Sequence, residues 1–122
     1  MSTRSVLIIH TPRLGTEKDI LIYHHWDGYP EGVGATLKGV IKKYQENKYV
    51  PYIDCTVLAN ALIKDPDECW ELTVFNHTDI EYLYLINCDN KQLHCYRVNQ
   101  PWKKYQDIIK SENEVSLENV GE

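Results

Sequence analysis

Between Tyr23 and Glu31 the chain places two imidazoles, an indole, two phenols and two carboxylates. Three glycines follow between Gly28 and Gly34. The run is Tyr23-His24-His25-Trp26-Asp27-Gly28-Tyr29-Pro30-Glu31-Gly32-Val33-Gly34. A loop that only joins two elements needs less polar and aromatic chemistry than this. The run follows an apolar strand-like stretch and precedes an amphipathic helix-like one, so it lies where strand turns into helix, a frequent location for ligand-binding groups. Unpaired N–H groups at the helix start would suit a phosphate or carboxylate, although Glu31 opposes an anion there. Glycine costs about 1 kcal/mol relative to alanine inside a helix. Gly32 and Gly34 therefore mark a close approach, either of a ligand or of the preceding hairpin.

Other chemistries fit less well. The spacing is neither the phosphate loop ending in Gly-Lys-Ser/Thr nor the G-x-G-x-x-G of dinucleotide sites. The two His-Thr dipeptides, His10-Thr11 and His77-Thr78, put histidine and threonine on opposite faces of a strand and do not form a two-histidine phosphoesterase site. No G-x-S-x-G or H-E-x-x-H signature occurs. His10, His24, His25 and Asp27 would need to converge across a hairpin to hold a metal, and nothing in their spacing sets that geometry. No cofactor is expected.

The elements that position the run are legible from periodicity. Val6–His10 and Ile20–His24 read as strands, apolar on both faces, joined by a loop containing Pro12 and Gly15. Alternation then puts His24 and Trp26 on one side and Tyr23 and His25 on the other, one histidine near the core and one at a rim. Pro30 suits a first helical turn, and Val33, Leu37, Val40, Ile41 and Tyr44 follow at helical spacing. Asp54 caps a second helix carrying Val57, Leu58, Ala61 and Leu62. Trp70–Phe75 reads as a third strand. Ile80–Ile86 and Leu93–Val98 form a hairpin about Asp89-Asn90, pairing Tyr84 with Cys95, Tyr82 with Arg97, and Leu83 and Leu85 with Tyr96 and His94. Leu83 and Leu85 are expected to lie beneath Leu37 and Val40 or Ile41. Pro101 would open a short C-terminal helix with Trp102, Tyr105 and Ile109. The expected fold is α+β: a mainly antiparallel sheet of about five strands, two helices on one face, and that C-terminal helix. One domain spans residues 1–110, with a flexible acidic tail over 111–122.

The composition bounds the function. At 122 residues the chain is globular, with 43% hydrophobic residues, nine Tyr and three Trp. Tyr and Trp bring a polar group with each ring, which suits a half-wet surface as well as a core with satisfied hydroxyls. Four glutamates of the tail account for most of the net charge of −5, and the remainder is near −1. No basic field for duplex nucleic acid exists. Cys55, Cys69, Cys88 and Cys95 include no C-x-x-C pair. No run approaches membrane-span length and no apolar leader follows Met1–Ser5, so the expectation is a cytoplasmic protein with reduced thiols.

The opening Met1-Ser2-Thr3-Arg4-Ser5 and the later His25-Trp26-Asp27-Gly28-Tyr29-Pro30-Glu31-Gly32-Val33-Gly34 resemble a family of small phage and prophage proteins. Its members share the Met-Ser-Thr-Arg start, a short hairpin, and a His-Trp-Asp-Gly-Tyr motif that leads into a helix. The resemblance covers roughly the first 45 residues and loosely the C-terminal hairpin. It implies a phage or mobile-element setting in the cytoplasm of a bacterial host and supplies no activity.

The leading expectation joins that setting to the residues. It is a non-enzymatic accessory protein of the anti-defence type that sequesters a small anionic, nucleotide-like ligand. Rings would stack on a base and donors would hold phosphate. The candidate contacts are Arg4, His24, His25, Trp26, Asp27 and Tyr29. The alternative is an inhibitor that binds a host protein such as a nuclease complex, suggested by acidic balance with exposed aromatics. A small hydrolase, with a histidine as base oriented by Asp27, ranks third. Homo-oligomer formation stays open.

Overall fold

The computed structural model describes residues 3–120. Met1 and Ser2 of the family-like start, and the last two residues of the acidic end, lie outside the described residues.

Six strands form one sheet: β1 (Ser5–His10), β2 (Ile20–His24), β3 (Glu71–Leu72), β4 (Tyr82–Asn87), β5 (Gln92–Arg97) and β6 (Glu114–Val115), in the order β3-β2-β1-β4-β5-β6. The sheet has six strands where about five were expected, and it is mixed: four of its five pairings are antiparallel and the central one is parallel. β1 and β4 run parallel, with Leu7 beside Tyr84 and Ile9 beside Ile86. The other pairings are antiparallel. A parallel pair needs a long crossover. Here the connection carries β2, both helices and β3. β1, apolar on both sides, is the buried central strand its sequence anticipates.

One face of the sheet is covered by α1 (Ala35–Glu46) and α2 (Cys55–Ile63). The α1 stripe buries Leu37 and Ile41, and Val33 is buried in the π-helical turn Pro30–Gly34 just before it. Asp54 caps α2, its Oδ1 accepting from the amides of Thr56 and Val57 at 3.0 and 3.2 Å. These helices pack on Leu7, Ile9, Ile22, Tyr84 and Ile86. The opposite face is also covered. Val6, Ile8, Tyr23 and Leu83 pack there against Ile80, Tyr105 and Ile108.

That second layer corrects two expectations. The hairpin register is as expected, Leu83 beside Tyr96 and Tyr84 beside Cys95. Its faces are reversed: Leu83 and Leu85 point away from the helices, and Tyr84 and Ile86 point toward them. Strand Tyr82–Asn87 is apolar at nearly every position, so its pattern does not distinguish the faces. The expected C-terminal helix is absent. The segment after Pro101 forms two short 3-10 turns, Tyr105–Asp107 and Ser111–Asn113, the first fastened where the Tyr105 hydroxyl donates to the Phe75 carbonyl at 2.8 Å and accepts from the His77 amide at 2.9 Å. The third strand is likewise shorter than Trp70–Phe75, because only Glu71 and Leu72 pair with β2.

Part of the acidic end is built into the sheet. Val115 pairs with Cys95 in β6. Leu117 packs on the helix-side core. The Lys38 ammonium donates to the carbonyls of Leu117, Glu118 and Val120 at 2.6, 2.7 and 2.9 Å. None of the helices formed by described residues is long and apolar enough to cross a membrane.

Candidate functional site

The Tyr23–Gly34 run folds as a turn bonded to the N-terminal Thr3 and to Tyr84 of the central strand β4. Asp27 adopts a left-handed conformation, φ 50°. That turns the chain so that the Asp27 carbonyl accepts the Val33 amide at 2.8 Å and the Tyr29 carbonyl accepts the Gly32 amide at 2.9 Å. The Gly28 amide donates to the Thr3 carbonyl at 2.8 Å. The Gly28 carbonyl accepts from the buried Tyr84 hydroxyl at 2.7 Å. The glycines serve close backbone approach. A Cβ at Gly32 would lie 2.2 Å from the Asp27 carbonyl oxygen, and one at Gly28 would lie 2.8 Å from the Thr3 carbonyl oxygen. Three amides that seemed available to an anion are therefore already bonded.

The six residues nominated from sequence separate into three groups: alternation turns His24 away from Tyr23, but β2 ends at His24, and the turn beyond it brings Trp26 beside His25 instead of on the His24 side where continued alternation would put it. His24 points to the helix side and is buried. Its Nδ1 donates to the Trp26 carbonyl, which fixes that nitrogen as the protonated one. Its ring lies 4.5 Å from Trp70, and its Nε2 approaches Glu68 Oε2 to 3.4 Å without hydrogen-bond geometry. Ser5, the cross-strand partner of His24, shares that face. The types of a Ser–His–Glu triad are thus close together, but neither His24 nitrogen bonds Ser5. Asp27 and Tyr29 form the second group. The Tyr29 hydroxyl donates to Asp27 Oδ1 at 3.3 Å, and that carboxylate holds the phenol above its usual pKa. Asp27 orients neither histidine, so the arrangement required for the hydrolase reading does not assemble.

Arg4, His25 and Trp26 form the third group and do meet, on the face opposite the helices. Arg4 Nε donates to His25 Nδ1 at 3.4 Å and lies 3.3 Å from Asp79 Oδ2. The Tyr23 hydroxyl is 2.9 Å from the same His25 nitrogen. Because arginine only donates, Nδ1 acts as acceptor and Nε2–H is the donor that His25 keeps for other partners. The Trp26 ring stands edge-on to His25 at 4.5 Å and is 54% exposed. Beneath them Tyr23 stacks on His77, centroids 4.1 Å apart and planes 14° from parallel. His77 Nε2 is held by the Thr73 hydroxyl at 2.8 Å. Burial and then the nearby Asp79 carboxylate push the Tyr23 phenol above its usual value, and Arg4 offsets part of this. The result is a platform of stacked rings next to one exposed indole and one partly exposed guanidinium.

Sequence reasoning did not find His77, Asp79, Glu68 or Trp70. They lie in the β3 region and its following loop, remote in sequence from the motif, and only strand pairing brings them to β2. His77 was visible solely as a His-Thr dipeptide, a pattern with a different chemistry. Among the described residues no three His, Cys, Asp or Glu side chains are grouped to hold a metal ion. His10 instead bonds Asp19 at 2.7 Å. All four cysteines are free thiols, and burial pushes the Cys88 thiol up to about 11 and that of Cys95 up to about 12.

No protein-family model, curated protein or solved structure matches this chain.

Proposed function

We propose that this chain is a phage or mobile-element accessory protein of the anti-defence type that binds and sequesters a small anionic, nucleotide-like ligand. The observation that carries the reading is the contiguity of Arg4, His25 and an exposed Trp26. A base stacked on Trp26 would contribute about 1–3 kcal/mol. The Arg4 Nη nitrogens and His25 Nε2–H are the donors left for phosphate, a task that passes to them because the Gly32 and Val33 amides at the helix start are bonded within the turn. Asp79 competes with the ligand for Arg4. Phage setting and bacterial cytoplasm follow from the motif resemblance.

Titration of a panel of nucleotides against tryptophan fluorescence tests this. Of the three tryptophans Trp70 is buried and Trp102 is half-buried against Tyr105, so quenching by a base stacked at the site should vanish in Trp26→Ala and persist in Trp102→Phe. Arg4→Ala should weaken binding at least about tenfold, the equivalent of a hydrogen bond to a charged group. Asp79→Asn should tighten it. Absence of quenching, and of any retained ligand by native mass spectrometry at millimolar nucleotide, would refute the proposal.

A protein-binding inhibitor is the second reading, favoured by the β3 edge. Leu72, Val74 and Phe75 there are 65, 85 and 73% exposed. An edge strand with exposed apolar side chains invites a partner. A stoichiometric host protein retained by the parent chain and lost by Phe75→Ala, with no nucleotide effect, would favour it.

A further inference from the structure

His24 and Glu68 face one another without forming a hydrogen bond. The His24 Nδ1–H is committed to the Trp26 carbonyl, so Nε2 carries a lone pair and only accepts. That nitrogen belongs to a side chain 3% exposed and has no hydrogen-bond partner. Glu68 Oε2, a carboxylate oxygen that also only accepts, stands 3.4 Å away. Two acceptors held this close repel unless a cation lies between them. Two more polar atoms at this end of the sheet lack partners. They are Ser5 Oγ, across the strand pair from His24, and Nε1 of Trp70, whose ring lies 4.5 Å from the imidazole.

The separation is that of two ligands on one ion. Atoms about 2.0–2.2 Å from a tetrahedral zinc lie about 3.3–3.6 Å from each other. An N–H donor bonded to a carboxylate comes closer, to about 2.7–2.9 Å. A histidine that ligates a metal through one nitrogen commonly gives its other N–H to a carboxylate or a backbone carbonyl, which sets its tautomer and orients its ring. The Trp26 carbonyl holds His24 in that way.

We infer that His24 Nε2 and Glu68 Oε2 form a binding site for a divalent transition-metal ion of the zinc class. One imidazole nitrogen and one carboxylate oxygen suit zinc and its neighbours, whereas magnesium and calcium take sets of oxygens. The pair carries one negative charge, and Asp65 and Asp67 in the loop before Glu68 add to the attraction. The Glu68 side chain is 31% exposed, which gives the ion a path from solvent. Among the described residues no third His, Cys, Asp or Glu joins the pair, so water completes the shell. Coordinated water is the kind of partner that Ser5 Oγ and Trp70 Nε1 lack. The site uses neither Arg4, His25 nor the Trp26 ring and stands apart from the nucleotide reading.

Calorimetric titration of the full chain with zinc chloride and, separately, magnesium chloride tests the site. Zinc should bind one equivalent and magnesium none. Long-range 1H–15N spectra should show metal-free His24 as the Nδ1–H tautomer. Zinc should then shift His24 Nε2 and the Trp70 indole N–H more than the rings of His10, His25, His77 and His94. Glu68→Gln keeps the size of a partly exposed side chain and should weaken zinc at least about tenfold, the least that loss of an outer-shell partner costs a metal site. His24→Asn, whose amide can still donate to the Trp26 carbonyl, should do the same, and if it fails to fold the Glu68→Gln result decides. Cys69→Ser, which removes the neighbouring exposed thiol, should bind zinc as the parent does. No zinc binding at millimolar metal, equal binding of magnesium, or zinc binding undiminished by Glu68→Gln would overturn the inference. So would loss of binding in Cys69→Ser, which would assign the ion to the thiol. An imidazolium at His24 that zinc does not displace would put a proton in place of the metal and also overturn it.

Discussion

Two Gly→Ala substitutions should move stability in opposite directions, although both lie in or beside the same helix. At Gly32 the new methyl would sit 2.2 Å from the Asp27 carbonyl oxygen and 3.0 Å from the Asp27 Cβ. The carbonyl must move by about 1 Å to reach an ordinary C···O separation. It is the acceptor for the Val33 amide, so the turn loses about 1 kcal/mol of hydrogen bond. Crowding adds about 1–3 kcal/mol, and the helical preference of alanine returns up to about 1 kcal/mol. The net expectation is a loss of about 1–4 kcal/mol. At Gly39, in the interior of α1, nothing lies within 4 Å of the added methyl. Gly39→Ala should therefore gain about 0.5–1 kcal/mol from propensity alone. Urea unfolding followed by far-UV circular dichroism reads both, provided the denaturant slope stays that of the parent. A Gly32→Ala protein as stable as the parent would mean that the turn is not closed as described. Its amides would then be free for an anion, and the assignment of phosphate to Arg4 and His25 would fall with it.

Leu83→Ala should cost about 2–5 kcal/mol, because that side chain is fully buried, against under about 0.5 kcal/mol for exposed Leu72→Ala. In double-mutant cycles Leu83→Ala should couple to Ile108→Ala, in the same cluster, and add simply to Leu37→Ala across the sheet; the reverse would put the leucines back under the helices. Backbone amides of Lys103 and then Lys104 hold the Asp107 carboxyl below its ordinary 3.8. The folded value is the lower one, so its stabilisation is complete above the unfolded value and fades as pH falls through the folded one. Urea midpoints between pH 5 and 2 should decline less steeply for Asp107→Asn, and an unchanged profile would argue against those amide contacts.

The local periods were sufficient for much of this architecture. Val33, Leu37 and Ile41 repeat at helical spacing, and Asp54 is a short acceptor placed before an apolar run, so both helices are legible without any partner. The hairpin register is legible for the same reason, since a turn centred on Asp89-Asn90 determines every pair beyond it. Alternation along Tyr23–His25 also separates the two histidines, one to the core and one to the rim.

What needed the tertiary structure was everything set by partners distant in sequence. The parallel contact of β1 with β4 depends on a crossover of some 70 residues, which no local pattern encodes. The inward face of Tyr82–Asn87 was undetermined because both faces are apolar and both are covered, one by helices and one by the Tyr105–Ile108 segment. The acidic end looked solvated by composition, yet three carbonyls around Leu117 are drawn to one ammonium, and backbone acceptors leave no signature in a side-chain pattern. At the candidate site the sequence supplied Arg4, His25 and Trp26 as chemistry. Strand pairing supplied His77 and Asp79 beneath them and turned His24, Asp27 and Tyr29 elsewhere, because adjacent residues on a strand face opposite ways and a turn must first satisfy its own amides.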